Sequence, residues 1–387
     1  MTHTLLRLTL VFGSTILLSC STPTKKENPN AQISDAVQVT LDSIIEHNQA
    51  LPGILIHIEA PDYNISWSGA AGVIDTVSKE PLLPDQSLRI ASNTKTFVAA
   101  TALKLWEKGL LSLDDPMTKY VSDEHLKILK GGGYKVDSIT IRHLLTHTSG
   151  IFDHAQSDQF FEAIAADPQK EWTRTEQIQG AVDWGDAYGA PGELFSYSDT
   201  GYILLGEVIE KVTGKSLAEA AHEAIAYEKL GMNATWWELR EQPPADVKPR
   251  AHQYLDSFDT YDFNPTLDIN GGGGIVSTTG DLAVFFDQLF ARNIFDNPAT
   301  LDTMIAMVKS KVPNEPFNDY RMGLYTRTIK ELRAYEHSGF WGTEALYFPD
   351  YNLSVTLAVT QQNQLRVLFH VLDKVLEQIA LLKSDER

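Results

Sequence analysis

Cysteine is almost absent from this chain of 387 residues, with Cys20 as its single example. One cysteine allows neither an intramolecular disulfide nor a cysteine-cluster metal site, so stability has to come from a packed core. No apolar run after the N-terminal segment reaches the roughly 18 residues that a transmembrane helix requires. Basic residues are scarce too, since 32 Lys and Arg stand against 51 Asp and Glu, for a formal net charge of −19. A surface this acidic repels phosphate backbones, which argues against a nucleic-acid partner.

The N-terminal segment is typical of a secretory signal. Arg7 supplies positive charge, and a short apolar stretch over 8–18 ends in the letters LLSC at Cys20. This ending resembles a bacterial lipobox, in which the cysteine is lipidated and becomes the first residue of the mature protein. We therefore predict a lipoprotein signal peptide over 1–19, lipidation of Cys20, a flexible polar tether over 20–35 and attachment to a membrane on the extracytoplasmic side of the bacterial cell envelope. The alternative is an ordinary signal peptide that happens to contain Cys20.

The rest of the chain has ordinary globular composition, 43% hydrophobic and 21% charged. Apolar spacing predicts a helix, two strands, a long helical region over about 113–307, further strands and a final helix. The late strands have connections too short for helical crossovers, so they are antiparallel. We predict an α+β fold in which an antiparallel sheet, built from both chain ends and flanked by helices, carries an inserted all-helical lobe. Residues 36–382 form one two-lobed unit, with a site expected at the seam. The predicted strands are 53–60, 64–72, 321–327, 334–337, 344–348 and 353–360, and the main predicted helices are 37–49, 92–108, 200–212 and 366–382.

A serine and a lysine stand three residues apart at the start of a predicted helix, as Ser92-Asn93-Thr94-Lys95. This offset places Ser92 and Lys95 on one helix face, where a lysine of lowered pKa can take the proton of a serine nucleophile. Taken alone the pattern is weak, because a capping serine beside a solvated lysine has the same letters.

Two further motifs give the serine and lysine a context. Tyr197-Ser198-Asp199 follows them, and His337-Ser338-Gly339 lies on a late predicted strand. The order S-x-x-K, Y-x-[ND], [KH]-[ST]-G resembles the serine β-lactamase and penicillin-binding protein superfamily, in particular its class C-like branch. That branch includes class C β-lactamases, D-alanyl-D-alanine carboxypeptidases, D-aminopeptidases and β-lactamase-fold esterases. The resemblance extends over about 37–382 and includes the segments 144–150 and 272–278.

The resemblance implies a β-lactamase/transpeptidase-like fold and a role for each matching residue. Ser92 would be the nucleophile that forms an acyl-enzyme, and Lys95 and Tyr197 would exchange protons, with either as the first acceptor. A buried tyrosinate beside the lysine ammonium is then plausible, because each charge favours the other. The oxyanion hole would consist of two backbone N–H groups, those of Ser92 and Phe340. The implied substrate-binding residues are Asp199, His337, Ser338, Gly339 and Phe340.

Two positions depart from the usual pattern of the β-lactamases. Asp199 stands where the family usually has Asn, and an ionised carboxylate accepts hydrogen bonds but cannot donate them. Asp199 can instead pair with Lys95 or favour a substrate that carries an amine. His337 stands where the β-lactamases usually have Lys, and a neutral imidazole attracts a substrate carboxylate less than an ammonium does.

These departures favour a D-alanyl-D-alanine carboxypeptidase-like amidohydrolase or an esterase, acting without cofactor or metal on a small-molecule or peptidoglycan-derived substrate. A class C-like β-lactamase is one alternative. A non-hydrolysing lipoprotein that binds penicillin or peptidoglycan through a degenerate site is another. His143 and His147 have the spacing of a metal pair on a helix, but a helix that ends at the rim of the active site explains them more simply.

Overall fold

The computed structural model describes residues 29–307 and 319–385. The predicted signal peptide, the lipidation site at Cys20 and residues 20–28 of the predicted tether therefore lie outside the described residues. Within the described ranges, the model contains no helix that is both long and apolar enough to span a membrane.

The helices and strands alternate in long blocks along the chain. The strands are β1 (Gly53–Ala60), β2 (Ile65–Gly72), β3 (Leu88–Arg89), β4 (Trp236–Trp237), β5 (Tyr254–Leu255), β6 (Phe258–Asp259), β7 (Ile275–Ser277), β8 (Tyr325–Ile329), β9 (Leu332–Gly339), β10 (Thr343–Phe348) and β11 (Leu353–Val359). The helices are α1 (Pro29–His47), α2 (Thr94–Glu107), α3 (Asp123–Gly131), α4 (Ile141–Leu145), α5 (Asp158–Ala166), α6 (Arg174–Asp183), α7 (Asp199–Thr213), α8 (Leu217–Ile225), α9 (Tyr227–Leu230), α10 (Thr279–Phe290), α11 (Ala299–Met304) and α12 (Val367–Asp385).

Strands from both ends of the described chain form one antiparallel sheet, in the order β2-β1-β11-β10-β9-β8. Successive side chains of a strand point to opposite faces. In β1, Ile54, Ile56 and Ile58 therefore face α1 and α12, while Leu55 belongs to the core on the other side. This arrangement confirms the predicted α+β fold with a sheet built from both chain ends.

The second core fills the inserted lobe and centres on α2. Phe97 of α2 is fully buried and stacks on Phe285 of α10, with the ring centroids 3.8 Å apart. The same core continues to the sheet through Leu55 of β1 and Tyr347 of β10. The start of α2 thus lies at the seam between the lobe and the sheet.

The first helix begins earlier than the sequence pattern predicted. Ile33 is fully buried together with Val37 and Leu41, one helical turn apart on a single face against the sheet. The prediction of a tether up to residue 35 is therefore wrong for residues 29–35. The polar residues around Ile33 form the exposed side of the helix. In the sequence, a single apolar residue among polar ones resembles a linker.

The inserted lobe is mostly helical, but it is not all-helical as predicted. A small sheet of the order β3-β7-β4 and the hairpin β5-β6 lie within it. Helix α10 packs against the large sheet, where Phe290 stacks on Tyr347 with centroids 4.2 Å apart. Strands of two or three residues are too short to show alternation, so the sequence gives no signal for them.

The strand predicted over 321–327 begins only at Tyr325. Residues 321–324 cross the face of α2 instead, where Thr96 Oγ1 donates a hydrogen bond to the Gly323 carbonyl at 2.8 Å. Gly323 has φ of 78°, and a Cβ there would lie 2.5 Å from the Ala99 side chain. Met322 and Leu324 are buried in the core of the lobe rather than in the sheet.

Candidate active site

Ser92 lies in a short 3₁₀ turn, Ala91–Asn93, directly before α2. The preceding residue, Ala91, is buried and has φ of 45°, a conformation that costs an alanine of order 1–3 kcal/mol. Asn93 holds the turn by donating hydrogen bonds to the Ile90 carbonyl at 3.1 Å and to Thr343 Oγ1 at 2.8 Å. Thr343 belongs to β10, so the serine is fixed between the lobe and the sheet.

The end of β9 approaches this turn closely at Gly339. A Cβ at Gly339 would overlap with the Ile90 carbonyl oxygen and with Thr343 Oγ1. Only a glycine therefore lets the strand lie beside the serine turn. Phe340 follows at the start of the β9–β10 turn, and both Ser92 and Phe340 line one cavity.

Lys95 is fully buried one helical turn after Ser92. Its Nζ donates to Ser92 Oγ at 2.8 Å and to the Gly272 carbonyl at 2.5 Å, and forms an ion pair with Asp199 Oδ1 at 2.5 Å. A lysine ammonium has three N–H groups and no lone pair. The three acceptors around Lys95 Nζ therefore match the three N–H groups of an ammonium.

Tyr197 lies against the same serine, with Lys95 Nζ 5.0 Å from the centre of its ring. Burial raises the pKa of Tyr197 well above 10, the Asp199 carboxylate raises it further, and a hydrogen bond to Ser92 works in the opposite direction. The raised pKa favours a neutral Tyr197 phenol over the tyrosinate that the family resemblance made plausible. Asp199 also pairs with the lysine ammonium that would stabilise such an anion.

His147 supports the segment that carries Tyr197. Its Nδ1 accepts a hydrogen bond from the Ser198 N–H at 3.1 Å, and its ring lies 4.2 Å from that of Tyr197. Burial lowers the pKa of His147 well below 6.5. His143 lines a different cavity, and its Nδ1 accepts a hydrogen bond from the Thr140 N–H at 3.2 Å. In the described ranges no group of three or more His, Cys, Asp or Glu side chains is arranged to hold a metal ion.

His337 is buried behind Ser338 on β9. Its Nδ1 donates to the Ser338 carbonyl at 2.8 Å, and the Tyr320 hydroxyl donates to its Nε2 across 3.2 Å. Burial and the nearby Lys95 charge lower the pKa of His337 to about 3. The imidazole is consequently neutral at any physiological pH and offers no positive charge to a substrate.

A cavity of about 600 Å³ opens above Ser92 between the lobe and the sheet. Four predicted substrate-side residues, Asp199, His337, Ser338 and Phe340, line it together with Ser92 and Tyr197. Among the described residues that line this cavity there is no lysine or arginine. One wall is apolar, with side chains from both lobes: Phe160, Phe161, Ile164, Ile203, Leu267, Tyr325, Phe340 and Trp341.

Sequence reasoning missed four polar residues that line the cavity, Asp153, His154, Gln156 and Asp268. The glycine run over 271–274 was the available signal, since glycines in a loop often mark a close approach of the backbone to another group. In the structure, the side chains of Asp199 and Asp268 lie against these glycines. A Cβ at Gly272 would lie 3.0 Å from Asp268 Oδ1 and 3.3 Å from Asp199 Cγ, and one at Gly273 would overlap with Asp268. The glycines make room for two neighbouring carboxyl groups.

Asp153 and Asp268 both have raised pKa values. Burial, and then the negative charge of Asp199, raises the pKa of Asp153 to about 8 and that of Asp268 to about 7. Asp153 is almost fully buried and accepts hydrogen bonds from the Ala155 N–H at 3.1 Å and from Gln156 Nε2 at 3.0 Å. Three carboxyl groups therefore line the cavity, and the buried Lys95 lies behind them in contact with Asp199.

Comparison with known proteins gives this site a family. The family model described as Beta-lactamase matches residues 41–376. "Penicillin-binding protein 4*" of Bacillus subtilis is 28% identical over 319 residues, which cover 79% of this chain and 66% of that protein, just under two thirds of its length. The D-stereospecific amidohydrolase from Streptomyces sp. has a similar structure, with 25% identity, a TM-score of 0.70 and coverage of 85% of this chain and 94% of the other. The fold of D-amino acid amidase from Ochrobactrum anthropi SV3, complexed with L-phenylalanine, is also similar, with 24% identity, a TM-score of 0.76 and coverage of 91% and 99%.

Proposed function

The chain belongs to the β-lactamase family and is a serine hydrolase, and we propose that it hydrolyses small esters or amides through an acyl-enzyme on Ser92. The observation that carries this proposal is the position of Lys95 Nζ, 2.8 Å from Ser92 Oγ and 2.5 Å from Asp199 Oδ1. The serine thus has a buried amino group within hydrogen-bond reach, and that amino group has a proton acceptor of its own.

The proton path follows from the contacts of Lys95. An ammonium cannot act as a base, so its proton first passes across the ion pair to the Asp199 carboxylate. The neutral amine then takes the proton of Ser92 while Oγ forms a bond to the substrate carbonyl carbon. The oxyanion that develops is stabilised by the backbone N–H groups of Ser92 and Phe340. Because Tyr197 is a neutral phenol hydrogen-bonded to Ser92, it protonates the departing alkoxide or amine as the carbonyl bond reforms, and recovers its proton from Lys95.

Water then hydrolyses the acyl-enzyme, with the same residues transferring the protons. Lys95, once more a free amine, accepts a proton from the attacking water, and the ester bond to Ser92 Oγ breaks with return of a proton to that oxygen. Asp199 and Lys95 then regain the ion pair seen in the structure.

The charges of the cavity favour the ester and amide activities among those predicted. β-Lactams and D-alanyl-D-alanine peptides both carry a carboxylate next to the bond that is cleaved. His337 is neutral, with its pKa lowered to about 3, and no lysine or arginine lines the described cavity. A substrate carboxylate would also lie near three carboxyl groups. These features weigh against a class C-like β-lactamase and against a carboxypeptidase, and the assembled Ser92, Lys95 and Tyr197 weigh against a binding protein that does not hydrolyse.

The proposed location is the bacterial cell envelope, outside the cytoplasm. Its support is the lipobox-like ending at Cys20. A lipid on Cys20 would attach the enzyme to a membrane, where small or peptidoglycan-derived acyl compounds are available as substrates.

Covalent labelling tests the proposal. A fluorophosphonate phosphonylates an activated serine, so peptide mass spectrometry of the treated enzyme should show the adduct on Ser92. Ser92→Ala should lose both the label and the hydrolysis of p-nitrophenyl butyrate, with an unchanged circular dichroism spectrum. An adduct on another serine, or full ester hydrolysis by Ser92→Ala, would overturn the proposal.

A further inference from the structure

The segment that carries Asp268 separates two cavities. Leu267 and Asp268 line the cavity above Ser92, whereas the next two residues, Ile269 and Asn270, line a second cavity of about 400 Å³. We call this second space the rear cavity. Its other walls include parts of α6, α7, α8 and β4, so it lies within the inserted lobe. No described residue lines both cavities, and the rear cavity is therefore a separate space for binding.

Hydrogen bonds hold the wall between the two cavities. Gln177 Nε2 donates to the Leu267 carbonyl at 2.8 Å, and Trp237 Nε1 donates to the Ile269 carbonyl at 3.0 Å. Trp237 and Trp172 both line the rear cavity and are almost completely buried. The rear cavity is therefore already formed in the free protein, and part of its surface is apolar.

The rear cavity has the opposite charge to the cavity above Ser92. The charged residues among its described lining are Arg174, Arg240 and Glu210. Glu210 is already paired, because its Oε2 accepts from Arg174 Nη1 at 2.6 Å and its Oε1 accepts from the Leu217 N–H at 3.2 Å. One positive charge is therefore left over, in a chain whose net charge is −19. A concave surface with an excess of positive charge raises the local concentration of anions.

Both arginines keep N–H groups that no described residue accepts. The pair with Glu210 uses Nη1 of Arg174, while Arg174 Nε is buried and has no hydrogen-bond partner among the described residues. Buried polar atoms are rarely left without a partner. The Nε and Nη2 edge of a guanidinium matches two oxygens of a carboxylate or a phosphate. Arg240 is exposed, and its guanidinium has neither a hydrogen bond nor an ion pair to a described residue.

We propose that the rear cavity binds a small organic anion, in which a carboxylate or a phosphate monoester is attached to an apolar group. Arg174 Nε and Nη2 donate hydrogen bonds to two oxygens of the anion, and Arg240 donates to it from the solvent side. The apolar group lies against Trp172 and Trp237. This site is distinct from the cavity above Ser92, and it does not depend on the proposed hydrolase function.

Isothermal titration calorimetry of the full chain with three small aromatic compounds tests the site. Benzoate carries a carboxylate, phenyl phosphate carries a phosphate monoester, and benzyl alcohol has a similar size without charge. We expect at least one of the two anions to bind to a single site, about tenfold or more tightly than benzyl alcohol, as for hydrogen bonds to a charged group. The tighter of the two anions identifies the chemical group that the site prefers.

Variants of the two arginines locate the bound anion. Arg240→Gln should weaken binding about tenfold or more, and the exposed position of Arg240 means that the fold is retained. Arg174→Lys keeps a positive charge beside Glu210 but removes the edge with two donors, so it should weaken binding to a similar extent. Arg366→Gln is the matched control, since Arg366 is an exposed arginine outside the rear cavity. This control should bind the anion as the native enzyme does.

Three results would overturn the inference. Neither anion binding more tightly than benzyl alcohol would exclude an anion site. Anion binding that Arg240→Gln and Arg174→Lys both leave unchanged would place the anion elsewhere on the protein. Binding weakened equally by Arg366→Gln would mean a general attraction between charges. Hydrolysis of p-nitrophenyl butyrate, measured on the same preparations, bears on the proposed function alone, so the two proposals can fail separately.

Discussion

Lys95 Nζ and Asp199 Oδ1 form an ion pair of 2.5 Å at the centre of the site, where the wider family usually has a lysine and an asparagine amide. This pair adds to the effect of burial on the protonation of the residues around it. The Asp199 carboxylate is the third hydrogen-bond acceptor around Lys95 Nζ. Its negative charge also helps to raise the pKa of Tyr197, Asp153 and Asp268. The consequences can be measured one residue at a time.

The proton-transfer groups should act as a unit. Lys95→Ala and Tyr197→Phe should each lower kcat by about 10²–10⁴, the usual contribution of general acid–base groups. The double variant should be little slower than the worse single variant, because each group needs the other. Steady-state kinetics with p-nitrophenyl butyrate gives the three values. Losses that simply multiply in the double variant would mean that the two residues serve separate steps.

Replacing Asp199 by Asn should lower the pKa of Tyr197. The sign follows from the charge, since the Asp199 carboxylate disfavours a nearby tyrosinate and its removal relieves that effect. Titration of the absorbance at 295 nm in Asp199→Asn, against Asp199→Asn with Tyr197→Phe as the blank, isolates this tyrosine. The Asn variant should show tyrosinate at a lower pH than the native enzyme. An unchanged titration would show that Asp199 does not control Tyr197.

Two substitutions should improve the recognition of substrates that carry a carboxylate. Asp199→Asn combined with His337→Lys restores an amide donor and places an ammonium where the neutral imidazole stands. Each recovered polar contact is worth about 1–3 kcal/mol, or about 5- to 150-fold. Acylation by nitrocefin should therefore rise relative to hydrolysis of p-nitrophenyl butyrate, as seen in stopped-flow measurements. A fall in both rates with the ratio unchanged would contradict the role given to these positions.

Burial of Asp268 should make stability depend on pH in a specific direction. The folded-state pKa of about 7 exceeds the usual 3.8, so the native state holds a proton that the unfolded chain releases. The contribution of Asp268 is most favourable below about pH 4 and is lost as the pH rises towards the folded value near 7. Its neighbours are Asp199, Lys95, Arg89 and Glu238, and all of them remain in the comparison. Urea titrations at pH 5 and pH 8 give the free energy of unfolding of the native enzyme and of Asp268→Asn. The stability of Asp268→Asn relative to the native enzyme should be greater at pH 8 than at pH 5. An equal difference at both pH values would contradict a buried, proton-holding Asp268.

Membrane attachment should depend on Cys20. Cys20→Ser removes the only thiol in the chain, so it should release soluble protein or leave an unprocessed precursor in cell fractionation. Processed Cys20→Ser protein that still partitions wholly with membranes would refute lipid anchoring.

Local patterns in the sequence predicted much of the fold but missed several residues of the candidate site. The strands over 53–72 and 343–359 alternate or run apolar strongly enough to be located from their letters, and the S-x-x-K spacing located Ser92 and Lys95. Asp153 and His154 lie far from Asp268 along the chain, and nothing in either neighbourhood indicates that these residues share a cavity. Their protonation follows from burial and from the charge of Asp199, both of which exist only after folding. Ile33 was missed for a simpler reason, because one apolar residue among polar neighbours resembles a linker.

The most direct test of the account compares three substrates on one preparation. These are a p-nitrophenyl ester, nitrocefin and a peptide ending in D-alanyl-D-alanine, each assayed with native enzyme and with Ser92→Ala. The account predicts Ser92-dependent hydrolysis of the ester, with kcat/KM well above the values for the two carboxylate-bearing substrates. Nitrocefin turnover near the diffusional ceiling of about 10⁸ M⁻¹s⁻¹ with negligible ester hydrolysis would contradict it, as would an ester activity that survives in Ser92→Ala.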